Sequence, residues 1–286
     1  MKKTENIMET EVREYLIAHI VNAALKAGEA VMQIYTRPES YDYSLKSDKS
    51  PIIEADRVAH NKIKESLGST RIPILSEEGR EMLYSERCNW DLYWLVDPLD
   101  GTLEFINNNN EFTINIALMH GKSCIGGVIY VPYFKKLYLA GRGFGAYRCA
   151  DIERTPGPDL SFEQIISRMV ALPLDSKVHQ RPIVAISRSH VNENTYAHVD
   201  SLREKHPDLE VMQQGSSYKF CLLAEGAIDY YARTSQTYEW DTAAGELILS
   251  EAGGSTRSFD DGSPLLYNKE ELHNPWFICR GPRSLI

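Results

Sequence analysis

The sequence predicts a mixed α/β protein of two lobes, and three observations carry that reading. Two stretches near the start repeat apolar residues every three to four positions, the spacing of amphipathic helices. Four strand-like runs then succeed one another with short breaks. Beyond a polar, proline-containing stretch, strands and helices alternate.

From about residue 10 to 35, Val12, Leu16, Ile20, Ala23, Ala27, Val31 and Ile34 fall on one face of a long helix. The polar segment RPESYDYSLKSDKSP ends it with prolines. Ala55, Ala59, Ile63 and Leu67 recur every fourth residue and predict a second helix from about Glu54 to Leu67. After RIPILSEEG come LYWLVD, FTINIALMH, SCIGGVIYVP and KKLYLAG, neighbouring strands of an antiparallel or mixed sheet flanked by the two helices. GRGFGAY is a tight β-turn region, because its glycines do not fit G-x-G-x-x-G and open no helix. CADIERTPGPDLSFEQ joins the lobes, which are expected at residues 1–150 and 151–286. The second lobe reads as strand RPIVAIS, a helix around Glu193 to Lys205, strand LEVMQ, a helix near Tyr218 to Ala224 and strand AIDYYA. The helix DTAAGELILSEAG comes next, stopped by Gly253-Gly254. That alternation predicts a partly parallel second sheet.

A chain of 286 residues with 43% hydrophobic and 25% charged residues has the composition of a soluble globular protein. A net charge of −9 and the lack of a basic stripe argue against nucleic-acid binding. They do not exclude an anionic substrate, since bound cations can invert a local field. Five scattered cysteines with no C-x-x-C pair suit a reducing compartment. MKKTENIMETEV has no apolar core of a secretory signal, and no run approaches the length of a membrane span. These features predict a cytoplasmic protein, free or resting on the inner face of the cell membrane, as a monomer or homodimer.

The stretch WLVDPLDGTLEFI ends an apolar run abruptly in Asp97 and Asp100. ILSEEG ends another in Glu77 and Glu78, and YEWDTAAGE puts Asp241 at the start of a helix. Carboxylates from several segments suit a hard divalent cation such as Mg²⁺, which takes oxygen ligands. Pro98 fixes the turn after Asp97, Gly101 allows close backbone approach, and Thr102 offers a hydroxyl beside the acids. Each acid has a plainer reading: Asp241 as a helix cap, Glu77-Glu78 as a solvated loop, DPLDG as an ordinary turn. Three such coincidences beside strand ends and a helix start favour the metal. The covalent aspartyl-phosphate route is excluded, because Pro98 occupies the place of its nucleophile. No histidine lies in H-E-x-x-H or pairs with cysteine at zinc spacing.

KSDKSPIIEAD, ILSEEG, WLVDPLDGTLEFI, EFTINIAL, SRSH, GSSYKFCLLAEG and EWDTAAGELILSEAGG, in this order over nearly the whole chain, resemble the inositol-monophosphatase superfamily of metal-dependent, lithium-sensitive phosphatases. Glu104, where inositol phosphatases usually carry Asn, points to the bacterial bisphosphate-nucleotidase branch. The resemblance implies a layered α/β/α/β/α sandwich, with most metal ligands in the first lobe and with substrate contacts and Asp241 in the second. It implies two or three Mg²⁺ ions, one held by Glu77, Asp97 and the Leu99 carbonyl, another by Asp97, Asp100 and Asp241. Asp48 is taken as the acid that pairs with Thr102 to activate water, with Glu77 also among the catalytic groups. Gly101 and Thr102 would meet the scissile phosphate, and Ser187, His190, Ser216, Lys219 and Asp241 would contact the substrate. Ile53 departs from the family's usual threonine in SPxTxAD.

The function this implies is Mg²⁺-dependent hydrolysis of 3′-phosphoadenosine 5′-phosphate to AMP and phosphate, by direct attack of a metal-activated water. Metal ions answer the charge problem of a phosphate dianion that repels hydroxide. Inositol monophosphatase or fructose-1,6-bisphosphatase activity is the alternative within the class. A non-catalytic binder of phosphorylated metabolites is the alternative outside it, disfavoured because every carboxylate the chemistry needs is present.

Overall fold

The computed structural model describes residues 2–37, 43–45, 51–154, 157–174 and 180–286. Helix α1 (Lys2–Tyr35) starts before the apolar periodicity does, and an antiparallel pair, β1 (Tyr43–Leu45) and β2 (Pro51–Ile53), leads into α2 (Glu54–Leu67). Then come β3 (Ile74–Ser76), α3 (Tyr84–Arg87), β4 (Leu92–Asp100), α4 (Thr102–Ile106), β5 (Thr113–His120), β6 (Ser123–Val131), β7 (Lys136–Gly141), β8 (Gly145–Cys149), α5 (Phe162–Ile166) and β9 (Val170–Ala171). Strands β3 to β9 form one seven-stranded sheet in chain order. Only β3 and β4 run parallel; the other pairs are antiparallel. Because β9 pairs with β8 through Tyr147↔Ala171 and Arg148↔Val170, this sheet draws on chain beyond the expected boundary at residue 150.

The remaining elements are β10 (Ile183–Ser187), α6 (Glu193–Lys205), β11 (Glu210–Gln214), α7 (Tyr218–Glu225), β12 (Tyr230–Arg233), α8 (Glu239–Glu251), β13 (Ser255–Ser258) and β14 (Phe277–Arg280). A five-stranded sheet takes the order β11-β10-β12-β14-β13. β10 pairs in parallel with β11 and β12, while β14 pairs antiparallel with β12 and β13. The last two strands were not foreseen, since four-residue segments such as STRS carry no readable alternation.

Side-chain alternation stacks these elements into five layers. Trp94 and Val96 of β4, with Ile114, Ile116 and Leu118 of β5, face α1 and α2. Their neighbours Tyr93, Leu95, Ala117 and Met119 face the other way, onto Phe220 and Leu223 of α7 and Ala244 and Ile248 of α8. The same two helices pack on Ala185, Tyr231, Phe277 and Cys279 of the second sheet. The far face of that sheet, Val184, Ile186, Tyr230 and Ala232, takes Val199 and Leu202 of α6. The order is therefore α/β/α/β/α, the layered sandwich the resemblance implied. α8 lies between the sheets, and this placement carries Asp241 toward residues nearly 150 positions earlier in the chain.

α8 comes so close to β6 that a Cβ on Gly127 would lie 3.0 Å from Ala244 Cα. The neighbouring atom is backbone and cannot swing aside, so Gly127→Val must push helix from sheet. The expected cost is about 1–3 kcal/mol, read as a lower midpoint in urea with an unchanged denaturant slope. An unaltered midpoint would mean that α8 is not held against β6 as described.

Candidate active site

β4 is buried along nearly its whole length, and its last residues bend to deliver acids. Asp97 pairs with Asn115 and Asp100 with Thr113, so three steps along β4 match two along β5. The extra residue makes a bulge at Pro98-Leu99. Proline has no N–H for the ladder and fits such a break. In a regular strand, residues three apart point to opposite faces; the bulge turns Asp97 and Asp100 to the same cavity. Leu99 N–H donates to Asp97 Oδ1 at 3.1 Å, tightening the turn. Gly101 follows with φ +91°, a left-handed conformation natural to glycine.

Parallel pairing sets Ser76 of β3 beside Val96, and Glu77 N–H donates to Val96 O at 3.1 Å. Glu77 thereby enters the cavity next to Asp97. Oxygens of Glu77, Asp97 and Asp241 all lie within 4.8 Å of one another. Asp241 also accepts from Tyr238 N–H at 2.8 Å, so it caps the start of α8 as well as joining the cluster. Asp100 stands apart, its Oδ2 accepting from Ser217 N–H and lying within reach of Thr113 Oγ1 (3.5 Å) and Asn115 Nδ2 (3.4 Å). Burial, then the charges of Asp100 and Glu77, push the Asp241 carboxyl well above its ordinary range. A chain that gathers acids at such a cost has the donor set of a hard divalent cation, all oxygen and with no cationic side chain among the three.

Thr102 Oγ1 lies 3.3 Å from Asp56 Oδ1 and 3.4 Å from Leu99 O. Among the described residues Asp56, in the first turn of α2, is the carboxylate beside the Thr102 hydroxyl, a part the resemblance allotted to Asp48. Asp48 lies outside the described residues. The signal was present in IIEAD, where an acid opens a helix directly after a strand.

Glu77, Asp97, Leu99, Asp100 and Thr102 share a cavity of about 460 Å³ with Gly101, Ser187, His190, Ser216, Lys219 and Asp241, so all the other expected substrate contacts converge there, while Asp56 lies behind its wall. Lys219 is not a free cation. It is 2% exposed, and its Nζ donates to Gln214 O at 2.9 Å and to Ser216 O at 2.7 Å. Burial and then Arg233 lower it to about 8, against the opposing pull of Asp100, Glu104 and Glu111. Its ammonium braces the loop that carries Ser216. Burial, with Arg233 next, pulls His190 down to about 4, so it meets the cavity as a neutral imidazole at pH 7. Arg233 was missed by sequence reasoning, since a lone arginine at the end of a strand carries no pattern. It lines the cavity, donates to Ser187 Oγ at 3.2 Å and to Gln236 O at 3.1 Å, and its buried Nε has no hydrogen-bond partner among the described residues. Glu104 is buried in the wall and accepts from Ser189 Oγ at 2.6 Å.

The cluster makes a prediction for the metal-free protein. A carboxyl raised on folding holds a proton that the unfolded chain releases near pH ~3.9. Metal-free stability therefore falls as pH rises from that range through the raised value of Asp241. Asp241→Asn removes this penalty and keeps an oxygen for the Tyr238 N–H. In EDTA at pH 7 the variant should melt about 2–4 °C higher than the unaltered chain, and added Mg²⁺ should raise the unaltered chain's Tm but not the variant's. A lower Tm in EDTA, with a full Mg²⁺ response, would make Asp241 a cap alone.

Known proteins resemble the chain over nearly its whole length. A model of the inositol monophosphatase family matches residues 12–276. The 3′(2′),5′-bisphosphate nucleotidase CysQ of Salmonella typhimurium is 37% identical over 92% of this chain and 98% of its own. The protein of that name from Buchnera aphidicola is 36% identical over 87% of this chain and 86% of its own. The crystal structure of CysQ from Bacteroides thetaiotaomicron superposes with a TM-score of 0.86 at 43% identity, covering 95% of this chain and 98% of that one. Matched by the family model over residues 12–276 and by these relatives over almost its whole length, the chain belongs to the inositol monophosphatase family.

Proposed function

We propose that the chain is a Mg²⁺-dependent phosphomonoesterase that hydrolyses 3′-phosphoadenosine 5′-phosphate to AMP and phosphate by direct attack of water. The observation that carries this reading is a single cavity lined both by the carboxylate cluster Glu77–Asp97–Asp241 and by the guanidinium of Arg233. A substrate with two phosphates needs a metal-binding end for the reacting one and a cationic end for the other. The nucleotidase function for which the CysQ relatives are named supports the nucleotide as substrate. The unpaired cysteines and the absence, among the described residues, of a helix long and apolar enough to cross a membrane fit a cytoplasmic setting.

Glu77, Asp97 and the Leu99 carbonyl would hold one Mg²⁺, and Asp97, Asp100 and Asp241 a second. Bound there, the metal supplies charge neutralisation for the phosphoryl oxygens and a lowered pKa for the attacking water. The chain's own groups do the rest. Asp56 Oδ1 accepts the Thr102 proton, so Thr102 Oγ1 turns a lone pair to the cavity and takes a hydrogen bond from the water. The proton can then pass through Thr102 Oγ1 to Asp56, the part the resemblance allotted to Asp48. The backbone N–H groups of Gly101 and Thr102 orient the reacting phosphate, and the hydroxyls of Ser187 and Ser216 and the neutral His190 orient the nucleoside. Arg233 meets the second phosphate.

Turnover of the nucleotide should vanish in EDTA and return with Mg²⁺; activity that survives excess chelator would remove the metal reading. With Mg²⁺ saturating, Asp56→Asn should lower kcat by roughly 10²–10⁴ and leave KM and Tm nearly unchanged. Wild-type kcat in that variant would take the proton from some other group.

Arg233→Met separates recognition from chemistry. Loss of one charge-assisted contact should raise KM for 3′-phosphoadenosine 5′-phosphate roughly ten- to hundredfold, with little change toward a small monophosphate. Equal losses on both substrates would place Arg233 in the support of the cavity rather than on the second phosphate.

A further inference from the structure

Behind the carboxylate cluster, α2 presents two polar side chains one turn apart, Asp56 and His60, on the side that also carries Ala55, Ala59 and Ile63 into the core. Asp56 Oδ2 accepts from Ile53 N–H at 2.7 Å, leaving Oδ1 toward Thr102. His60 Nδ1 lies 2.9 Å from Ser76 Oγ. Ser76 is the last residue of β3 and is buried. Side chains alternate across this strand. Leu75 packs toward α7 and α8, Ser76 points back to α2, and Glu77 comes out on the α8 side, where Asp241 lies. The backbone closes on the same point, for Gly79 N–H donates to Ser76 O at 3.0 Å and turns the chain away from the cavity. His60 therefore grips β3 one residue before its carboxylate and on the opposite face.

We propose that His60 is a positioning residue of the metal centre, fixing Glu77 through Ser76 Oγ while the preceding turn of the same helix sets Asp56 against Thr102. One helix face thereby keeps a metal ligand and a proton acceptor in register with each other. The inference rests on the metal-dependent reading above and extends it beyond the ligands themselves. A side chain that only satisfied a buried hydroxyl would contribute stability and nothing to metal affinity. A positioning side chain is different: its loss loosens Glu77 relative to Asp97 and Asp241, and metal affinity registers that looseness.

The test is titration of the full chain with Mg²⁺ alone, by calorimetry and by the rise in Tm, with steady-state kinetics alongside. His60→Ala should weaken Mg²⁺ binding roughly three- to tenfold, the range of one hydrogen bond, and raise the Mg²⁺ needed for half-maximal turnover by a similar factor. KM for the nucleotide at saturating Mg²⁺ should not change. Ser76→Ala, the smaller excision, should do the same, and the double variant should be no worse than either single one. His60→Asn, which keeps a polar atom near the position of Nδ1, should recover most of the affinity, whereas His60→Gln, whose amide lies further out, should not. Wild-type Mg²⁺ affinity in His60→Ala and Ser76→Ala with only Tm reduced, or losses that simply add in the double variant, would overturn the proposal. If the unaltered chain takes up no Mg²⁺, the metal-dependent reading fails first and this inference falls with it.

Discussion

Everything in the molecule is arranged around the mutual repulsion of carboxylates held within 4.8 Å of one another. Like charges so close cannot all ionise cheaply in a partly buried site, and the raised Asp241 carboxyl records that cost. The cluster persists because each acid is anchored by rigid backbone. Glu77 continues the β3–β4 ladder, Asp97 sits in a buried strand just before its proline bulge, and Asp241 is bound at the first turn of a helix clamped between two sheets. Strand ladders and a packed helix resist the drift that would relax the repulsion. Such an acidic cluster could hold a metal ion, whose charge would offset the repulsion and would attract an anion where a bare acidic cavity repels it.

The same region ties the two sheets together. Ser217 N–H donates to Asp100, Ser189 Oγ donates to Glu104 at 2.6 Å, and Glu111 accepts from Gly215 N–H at 2.7 Å while pairing with Arg188 through both carboxylate oxygens. Three acids between the end of β4 and the start of β5 thus hold the two loops of the second sheet that face the cavity. Close approach is part of the fit: a Cβ on Gly215 would fall 2.3 Å from Glu104 Cγ. Lys219 completes the arrangement from beneath, its ammonium bonded to the carbonyls of Gln214 and Ser216. The cavity walls are therefore set by acid–amide and acid–hydroxyl bonds across the lobes, which explains why so many of its polar groups are already engaged with the protein itself.

Much of this was legible in the chain. The apolar spacing of α1 and α2, the apolar runs of β4 to β7 and the strand-helix succession from β10 to β12 declared their elements, because each spans enough residues for a pattern to show. Glu77, Asp97, Asp100 and Asp241 were legible because each ends or begins such an element, and the structure brings them into one cavity. Asp56 escaped attention, hidden inside the very helix it opens, while Asp48 drew it from a segment outside the described residues. Lys219 looked like a ligand-binding ammonium from its neighbours GSSYKF, yet burial turned it onto carbonyls of its own loop. Arg233 had no local signature at all.

The sequence by itself determined the long helices, the apolar strands and where the acids would emerge, since helical periodicity and apolar runs that end in carboxylates are local properties of the chain, whereas its short strands and single-turn helices left no such mark. It also marked Pro98 as a break, expected as a turn after Asp97 and found as a bulge within β4, which runs on to Asp100. The tertiary structure alone decided which acids meet. The placement of α8 between the sheets brings Asp241 to Glu77 and Asp97, and the packing of α2 on the large sheet brings Asp56 to Thr102 and His60 to Ser76. It decided, too, whether a cation would face the cavity or the protein, because burial and the nearest carbonyls outweigh sequence neighbours in directing an ammonium. Those pairings span tens to more than a hundred residues, and only the layered packing of both sheets on shared helices brings such distances within reach of a hydrogen bond.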